Sequence, residues 1–209
     1  MNRVQYISQG ETNKEQLRHI TEVLDAGCGW IQLRHKNGGE DERRRLAEQV
    51  RQLCSGYGAT FIVNDHPELA FETGADGVHL GLSDVAVGTA RMRLGTGKII
   101  GGTANTLEDV LQRVAEGCDY IGLGPFAYTT TKAKLSPILG LEGYQRMLKA
   151  LGSAGTVIPI YAIGGITLAD LPALAASGIA GVAVSGLLSR SKDKRQTINI
   201  INELLTCQY

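Results

Sequence analysis

Neither sign of charge predominates in this chain: Lys and Arg together number 21, Asp and Glu 21, and the pI is about 6.9. That balance removes the long-range field that draws nucleic acid or an anionic membrane to a protein. No apolar run approaches the roughly 20 residues of a membrane span. The opening stretch MNRVQYIS lacks the charged-then-apolar layout of a signal peptide. Cys28, Cys54, Cys118 and Cys207 are scattered without a CxxC spacing, which leaves no zinc or dithiol motif. Cys28 and Cys118 stand just ahead of apolar runs and read as small buried thiols. These absences point to a cytoplasmic, reduced protein with neither a nucleic-acid nor a membrane partner. They leave homo-oligomerisation open.

Aromatics are also few, at 5% of 209 residues, while glycine is plentiful, with 27. A composition of aliphatic runs and glycine-bearing loops suits strands buried on both faces. The phrases DAGCGWIQLR (25–34), ETGADGVHLG (72–81), AEGCDYIGLG (115–124) and ASGIAGVAVS (176–185) repeat one theme. Each is a helix tail, a glycine stop, a turn and an apolar strand. Between them lie the apolar runs Val4–Ser8, Thr60–Asn64, Lys98–Thr103 and Ile158–Ile163. Eight strands alternating with helices predict a (β/α)8 TIM barrel, one compact domain over residues 1–209, with about 26 residues per unit. An open doubly wound sheet is the competing architecture. It would need a GxGxxG fingerprint after the first strand, where YISQGE supplies none.

The helices predicted over Asn13–Ala26, Asp41–Tyr57 and Lys192–Thr206 each carry one apolar stripe. In the second, Arg43, Arg44 and Arg45 read as a solvated face.

Chemistry gathers at the expected C-terminal strand ends, where barrels place it. FIVND ends in Asn64-Asp65, and GVHLG is followed by Asp84. Two carboxylates on neighbouring strand ends, with an amide beside them, suit a hard cation such as Mg²⁺. Equally, Asp65 could cap a helix from His66, and Asp84 one from Val85. The period-two pattern of WIQLRHK turns Gln32 and Arg34 inward, with Lys36 just beyond. Such residues need a ligand or a partner, because burying them bare is costly. A guanidinium fork and an ammonium suit a multiply charged phosphate, and a salt bridge from Arg34 to Asp65 or Asp84 is the alternative.

His79 lies in the same phase and reads as a satisfied core histidine. After the fifth strand, Thr103 and Asn105 offer polar groups that could serve a ligand or cap the helix near Leu107. The long stretch 122–140 carries Thr129, Thr130, Thr131 and Lys132, phosphate ligands by chemistry. Strands seven and eight end in Gly164-Gly165 and Val184-Ser185-Gly186. Barrels often hold a phosphate between those two loops. The mouth thus offers one cationic, metal-ready anion site and one neutral, glycine-built site, fit for a diphosphate and a monophosphate.

QLRHK (32–36), FIVND (61–65), ADGVHLGLSD (75–84), DYIGLGPFAYTTTK (119–132), YAIGGI (161–166) and GVAVSG (181–186), in that order, resemble the thiamine-phosphate synthase family. The resemblance spans essentially the whole chain. It implies a barrel enzyme that joins hydroxymethylpyrimidine diphosphate to thiazole phosphate, with Mg²⁺ as cofactor and diphosphate leaving first. It implies that Asp65 and Asp84 hold the metal and that Gln32, Arg34, Lys36, Asn64 and Lys132 contact the pyrimidine diphosphate. Thr129, Thr131, Gly165 and Ser185 would hold the thiazole phosphate. Three positions depart from the family pattern: Leu82 stands where Gln is common, Gly-Gly-Thr-Ala-Asn (101–105) replaces Gly-x-Ser and a His-containing turn, and Tyr128 replaces Pro. A thiazole tautomerase of the same fold works through histidine, and a non-catalytic phosphometabolite sensor needs no leaving-group machinery. Lys132 and the absence of His from 101–106 favour the synthase over the tautomerase, and Asp65, Asp84 and Lys132 together favour it over the sensor.

Overall fold

Strand β1 (Val4–Ile7) pairs in parallel both with β2 (Trp30–Leu33) and with β8 (Gly181–Val184), so the sheet has no edge. Between them run β3 (Thr60–Asn64), β4 (Gly77–Leu80), β5 (Ile99–Ala104), β6 (Tyr120–Leu123) and β7 (Ile160–Ile163), each paired with its sequence neighbours in a closed barrel. Closure rules out the open doubly wound sheet. The computed structural model describes residues 1–35, 37–129 and 136–206.

Helices alternate with the strands: α1 (Asn13–Asp25), α2 (Glu40–Tyr57), α3 (Pro67–Glu72), α4 (Val87–Leu94) and α5 (Leu107–Ala115). They continue as α6 (Gly140–Ser153), α7 (Leu171–Ala176), α8 (Gly186–Ser189) and α9 (Lys194–Thr206). Among the described residues no helix is long and apolar enough to cross a membrane. Helix α1 opens on a capping box in which Thr12 and Glu15 satisfy each other's backbone N–H groups, and Gly27 at φ +97° ends it. Helix α9 begins at Lys194 rather than the predicted Lys192, because Asp193 Oδ1 accepts from the Gln196 N–H at 2.8 Å and fixes the start. The arginine triplet is solvated as expected, with Arg44 paired to Glu72 at 2.9 Å. Cys28 and Cys54 are buried, Cys118 only half-buried, and Cys207 lies outside the described residues. Burial pushes the Cys28 thiol up to about 11.

Two apolar layers result. One lies between the strands and the helix ring, and the other fills the barrel itself. Three of the scarce aromatics, Trp30, Tyr120 and Tyr161, meet edge to face in the interior with ring centroids 4.9–5.7 Å apart. Room for them comes from missing side chains. A Cβ on Gly101 would lie 2.1 Å from Tyr120 Cζ, and one on Gly181 would lie 2.3 Å from Tyr161 Cε1. Gly101→Ala should therefore destabilise by about 1–3 kcal/mol through overpacking. A lowered urea midpoint would register it; an unchanged midpoint would mean that Tyr120 can swing aside.

Candidate active site

The C-terminal strand ends open into a cavity of about 670 Å³. Its floor is a chain of buried polar groups above the aromatic layer. Gln32 Nε2 donates to Gln5 Oε1 at 3.2 Å, and Gln5 Nε2 donates to the Tyr120 hydroxyl at 3.0 Å. That hydroxyl meets His79 Nδ1 at 3.0 Å, and His79 Nε2 meets Thr103 Oγ1, also at 3.0 Å. Burial raises the Tyr120 pKa, so the phenol stays protonated. His79 is thus a satisfied core histidine, as its position in a strand suggested, and both ring nitrogens are occupied.

Arg34 rises from β2 on the same side as Gln32. Its main-chain N–H donates to Ser8 Oγ at 3.0 Å, and its side chain enters the cavity half-buried. Burial lowers the guanidinium pKa, while the neighbouring Asp65 carboxylate acts to raise it. Arg34 and Asp65 line the same cavity.

Neither aspartate is a helix cap. Helix α3 starts at Pro67 and α4 at Val87, and their N-cap residues, His66 and Ala86, make no side-chain cap bond. Asp65 instead sits at φ +65°, alone among the described non-glycine residues in having positive φ. The His66 N–H donates across it to the Asn64 carbonyl at 2.9 Å, closing a three-residue turn, and the Asp65 N–H is held by the His79 carbonyl at 2.8 Å. Left-handed backbone at a non-glycine residue costs on the order of 1–3 kcal/mol and persists where its surroundings fix it. Here the turn brings the Asp65 side chain to the cavity. Asp84 also lines it, and its Oδ2 accepts the Gly81 N–H at 2.6 Å. Among the described residues no three His, Cys, Asp or Glu gather into a metal cluster. Asp65 and Asp84 are the two aspartates that line the cavity.

Across the cavity stand Gly164, Gly165, Val184 and Ser185. The glycine pair is needed for more than ligand approach. Gly165 has φ +70°, and a Cβ there would lie 2.5 Å from the Tyr128 carbonyl oxygen; Gly164 has φ +93°, and its peptide receives the Ala127 N–H at 2.9 Å. The chain after β6 packs directly on this turn. Ser185 Oγ donates to Gln9 Oε1 at 3.1 Å. This second site is not neutral, contrary to the sequence reading, because Arg190 also lines it. A Cβ on Gly186 would fall 2.2 Å from an Arg190 guanidinium nitrogen.

The cavity wall therefore includes Gln32, Arg34, Asn64, Asp65, Asp84, Thr103, Thr129, Gly165, Val184 and Ser185, all of them predicted site residues. Lys36, Thr131 and Lys132 lie outside the described residues. Neither Thr103 nor Asn105 caps α5; Thr106 does, its Oγ1 accepting from the Asp109 N–H at 3.1 Å. Asn105 instead donates to the Gly124 carbonyl and accepts from Ser136 Oγ at 2.8 Å. Sequence reasoning missed Gln5, Tyr120 and Arg190. The inward phase of β1 and β6 could have exposed the first two; nothing local marked the third.

The family described as thiamine monophosphate synthase matches residues 4–188. The chain belongs to that family. It is 53% identical to the thiamine-phosphate synthase of Flavobacterium johnsoniae over 204 residues, covering 98% of this chain and 96% of that protein. It is also 53% identical to that of Flavobacterium psychrophilum over 204 residues, covering 98% and 99%. The fold matches that of thiamine phosphate pyrophosphorylase from Pyrococcus furiosus with a TM-score of 0.83, at 28% identity and 98% and 95% coverage. Of the three departures from the family pattern, two are exposed apolar side chains at the mouth: Leu82 is 48% and Tyr128 69% exposed.

Proposed function

We propose that this chain is a thiamine-phosphate synthase that joins hydroxymethylpyrimidine diphosphate to thiazole phosphate, with Asp65 and Asp84 as the seat of Mg²⁺. The observation that carries the reading is the division of one cavity. Asp65, Asp84, Asn64 and Arg34 occupy one side, and Gly165, Ser185 and Arg190 the other. Two substrates of different charge need such a division. Full-length similarity to thiamine-phosphate synthases supports the same assignment.

The donor set fits the ion. Mg²⁺ is commonly held by one or two carboxylates, substrate phosphates completing its shell with water. Asp65 and Asp84 supply the carboxylates, and a 670 Å³ cavity leaves room for the rest. Bound there, the ion would neutralise charge building on the diphosphate.

In the reaction the bond between the pyrimidine methylene carbon and the diphosphate oxygen breaks, and its electron pair leaves with the diphosphate. The thiazole nitrogen then donates its lone pair to that carbon, giving thiamine phosphate. No proton need be removed at the reacting nitrogen, so a site without a general base is adequate. Arg34 stabilises the departing charge, and Lys36 and Lys132 join it by family resemblance. Gln32 orients the pyrimidine ring from the floor, its own amide steadied by Gln5. Thr129, Gly165, Val184 and Ser185 seat the thiazole phosphate, with Thr131 added by resemblance; Thr103 completes the floor beneath the pyrimidine.

A histidine-driven tautomerase finds little support. His79 is 5% exposed with both nitrogens engaged, and position 105 is an asparagine tied to Gly124 and Ser136.

The test is synthesis of thiamine phosphate with and without Mg²⁺, using either the thiazole phosphate or its free alcohol. The alcohol leaves the Ser185 and Arg190 side without its anion, and charge-assisted hydrogen bonds contribute about 1.5–3 kcal/mol each. The expected kcat/KM for the alcohol is lower by roughly 10²-fold or more, since two such bonds would be lost. Equal values for the two thiazoles would remove the monophosphate site, and turnover indifferent to Mg²⁺ would remove the metal site.

A further inference from the structure

Arg113 has no place in the chemistry above, yet it is 5% exposed on the outer side of the barrel. Burying a guanidinium is expensive unless its donors are taken. Nη1 pairs with Glu116 at 2.8 Å, Nη2 donates to the Gly81 carbonyl at 2.7 Å, and Nε reaches the Thr103 carbonyl at 3.3 Å. The arginine thus ties α5 to the ends of β4 and β5 at once.

Two glycines in β5 serve opposite faces. Gly101 makes room inside for Tyr120, while a Cβ on Gly102 would lie 2.8 Å from Arg113 Cδ. The side chain therefore crosses the strand where a larger residue would block it. Its target matters more than its path. Gly81 donates its N–H to Asp84 Oδ2 at 2.6 Å while its carbonyl is gripped by Arg113. Moving that carbonyl moves the donor that aims the carboxylate.

We propose that Arg113 is a positioning residue that holds Asp84 in the orientation needed by the divalent cation. The inference rests on the assignment of Asp65 and Asp84 as the metal seat. Gly81 is the group bonded to Asp84, and direct partners of a metal ligand typically contribute 10–100-fold in metal affinity; Arg113 acts through Gly81 and belongs at the low end of that range.

Mn²⁺ binding to the ligand-free protein, followed by electron paramagnetic resonance, tests this without reference to turnover. Arg113→Gln should weaken Mn²⁺ binding by about 10-fold. Arg113→Lys should weaken it less, keeping charge but losing the fork that spans two carbonyls. Glu116→Gln breaks the ion pair and leaves both carbonyl contacts, so Mn²⁺ binding should hold within about twofold while thermal stability falls. In turnover, Arg113→Gln should raise the half-saturating Mg²⁺ concentration, with kcat recovered at excess metal.

A folded Arg113→Gln protein that binds Mn²⁺ like the wild type would overturn the proposal. So would Glu116→Gln weakening the ion as much as Arg113→Gln does, since the effect would then be one of general packing. If Arg113→Gln does not fold, Arg113→Lys and Glu116→Gln decide by the same comparison. Absence of Mn²⁺ binding by the wild type, both alone and with inorganic diphosphate added to complete the shell, would remove the metal seat itself along with this inference.

Discussion

Replacing either Asp65 or Asp84 by Asn is expected to lower kcat/KM by roughly 10²-fold or more, and replacing both to add little. Charge stabilisation at a developing leaving group contributes on this scale, and groups that act through one ion are strongly non-additive. Asparagine is the right probe because it tolerates the φ +65° that Asp65 adopts, whereas alanine would bear the left-handed backbone penalty. At position 84 it still presents an oxygen to the Gly81 N–H, now bonded to Asp84 at 2.6 Å. Since neither residue caps a helix, the thermal midpoint should barely move. The measurement is a double-mutant cycle scored for kcat/KM against Mg²⁺ concentration. Independent, multiplying losses with an unchanged Mg²⁺ saturation curve would refute a shared ion.

The barrel was legible because its signals are local. A helix tail, glycine stop and apolar run recur at β2, β4, β6 and β8, and a strand buried on both faces must be apolar throughout. Errors fell at element ends, where one side chain decides: Asp193 starts α9 two residues later than the apolar pattern suggested. The capping alternative for Asp65 and Asp84 fails for a related reason. Aspartate ahead of an apolar stretch is the cap signature, yet His66-Pro67 and the 81–84 turn set the helix starts further along.

The mouth was legible through phase. Strand periodicity placed Gln32 and Arg34 inside, and both line the cavity. What sequence could not yield were the partners. Gln5 and Tyr120 are 115 residues apart and become one network only through barrel closure. Arg190 caps the C-terminus of the short helix after the last strand and resembles any surface arginine until the absent side chain of Gly186 lets it lie against the cavity wall. Arg113 was hidden more deeply, since an arginine in an amphipathic helix reads as solvent-facing while its bonds go to Gly81 and Thr103.

Arg34→Ala should lower kcat by roughly 10²-fold or more, the loss expected for a preorganised donor to developing charge. The side chain is half-buried at the cavity wall, and its main-chain N–H is fixed by Ser8 Oγ at 3.0 Å, so the residue that carries the guanidinium is held at the site. Arg34→Lys separates charge from shape. An ammonium keeps the charge and gives up the planar fork, and at a bidentate phosphate contact that exchange is not conservative. The lysine variant should therefore fall between wild type and alanine, with its deficit in kcat rather than in KM for the pyrimidine diphosphate. Arg34 and Asp65 should also be coupled, because both line one cavity and, in the proposed reaction, act on the same departing diphosphate. Combining Arg34→Ala with Asp65→Asn should cost less than the product of the single losses. A rise in KM alone, with kcat intact in the alanine variant, would make Arg34 a recruiter of the diphosphate with no part in its departure.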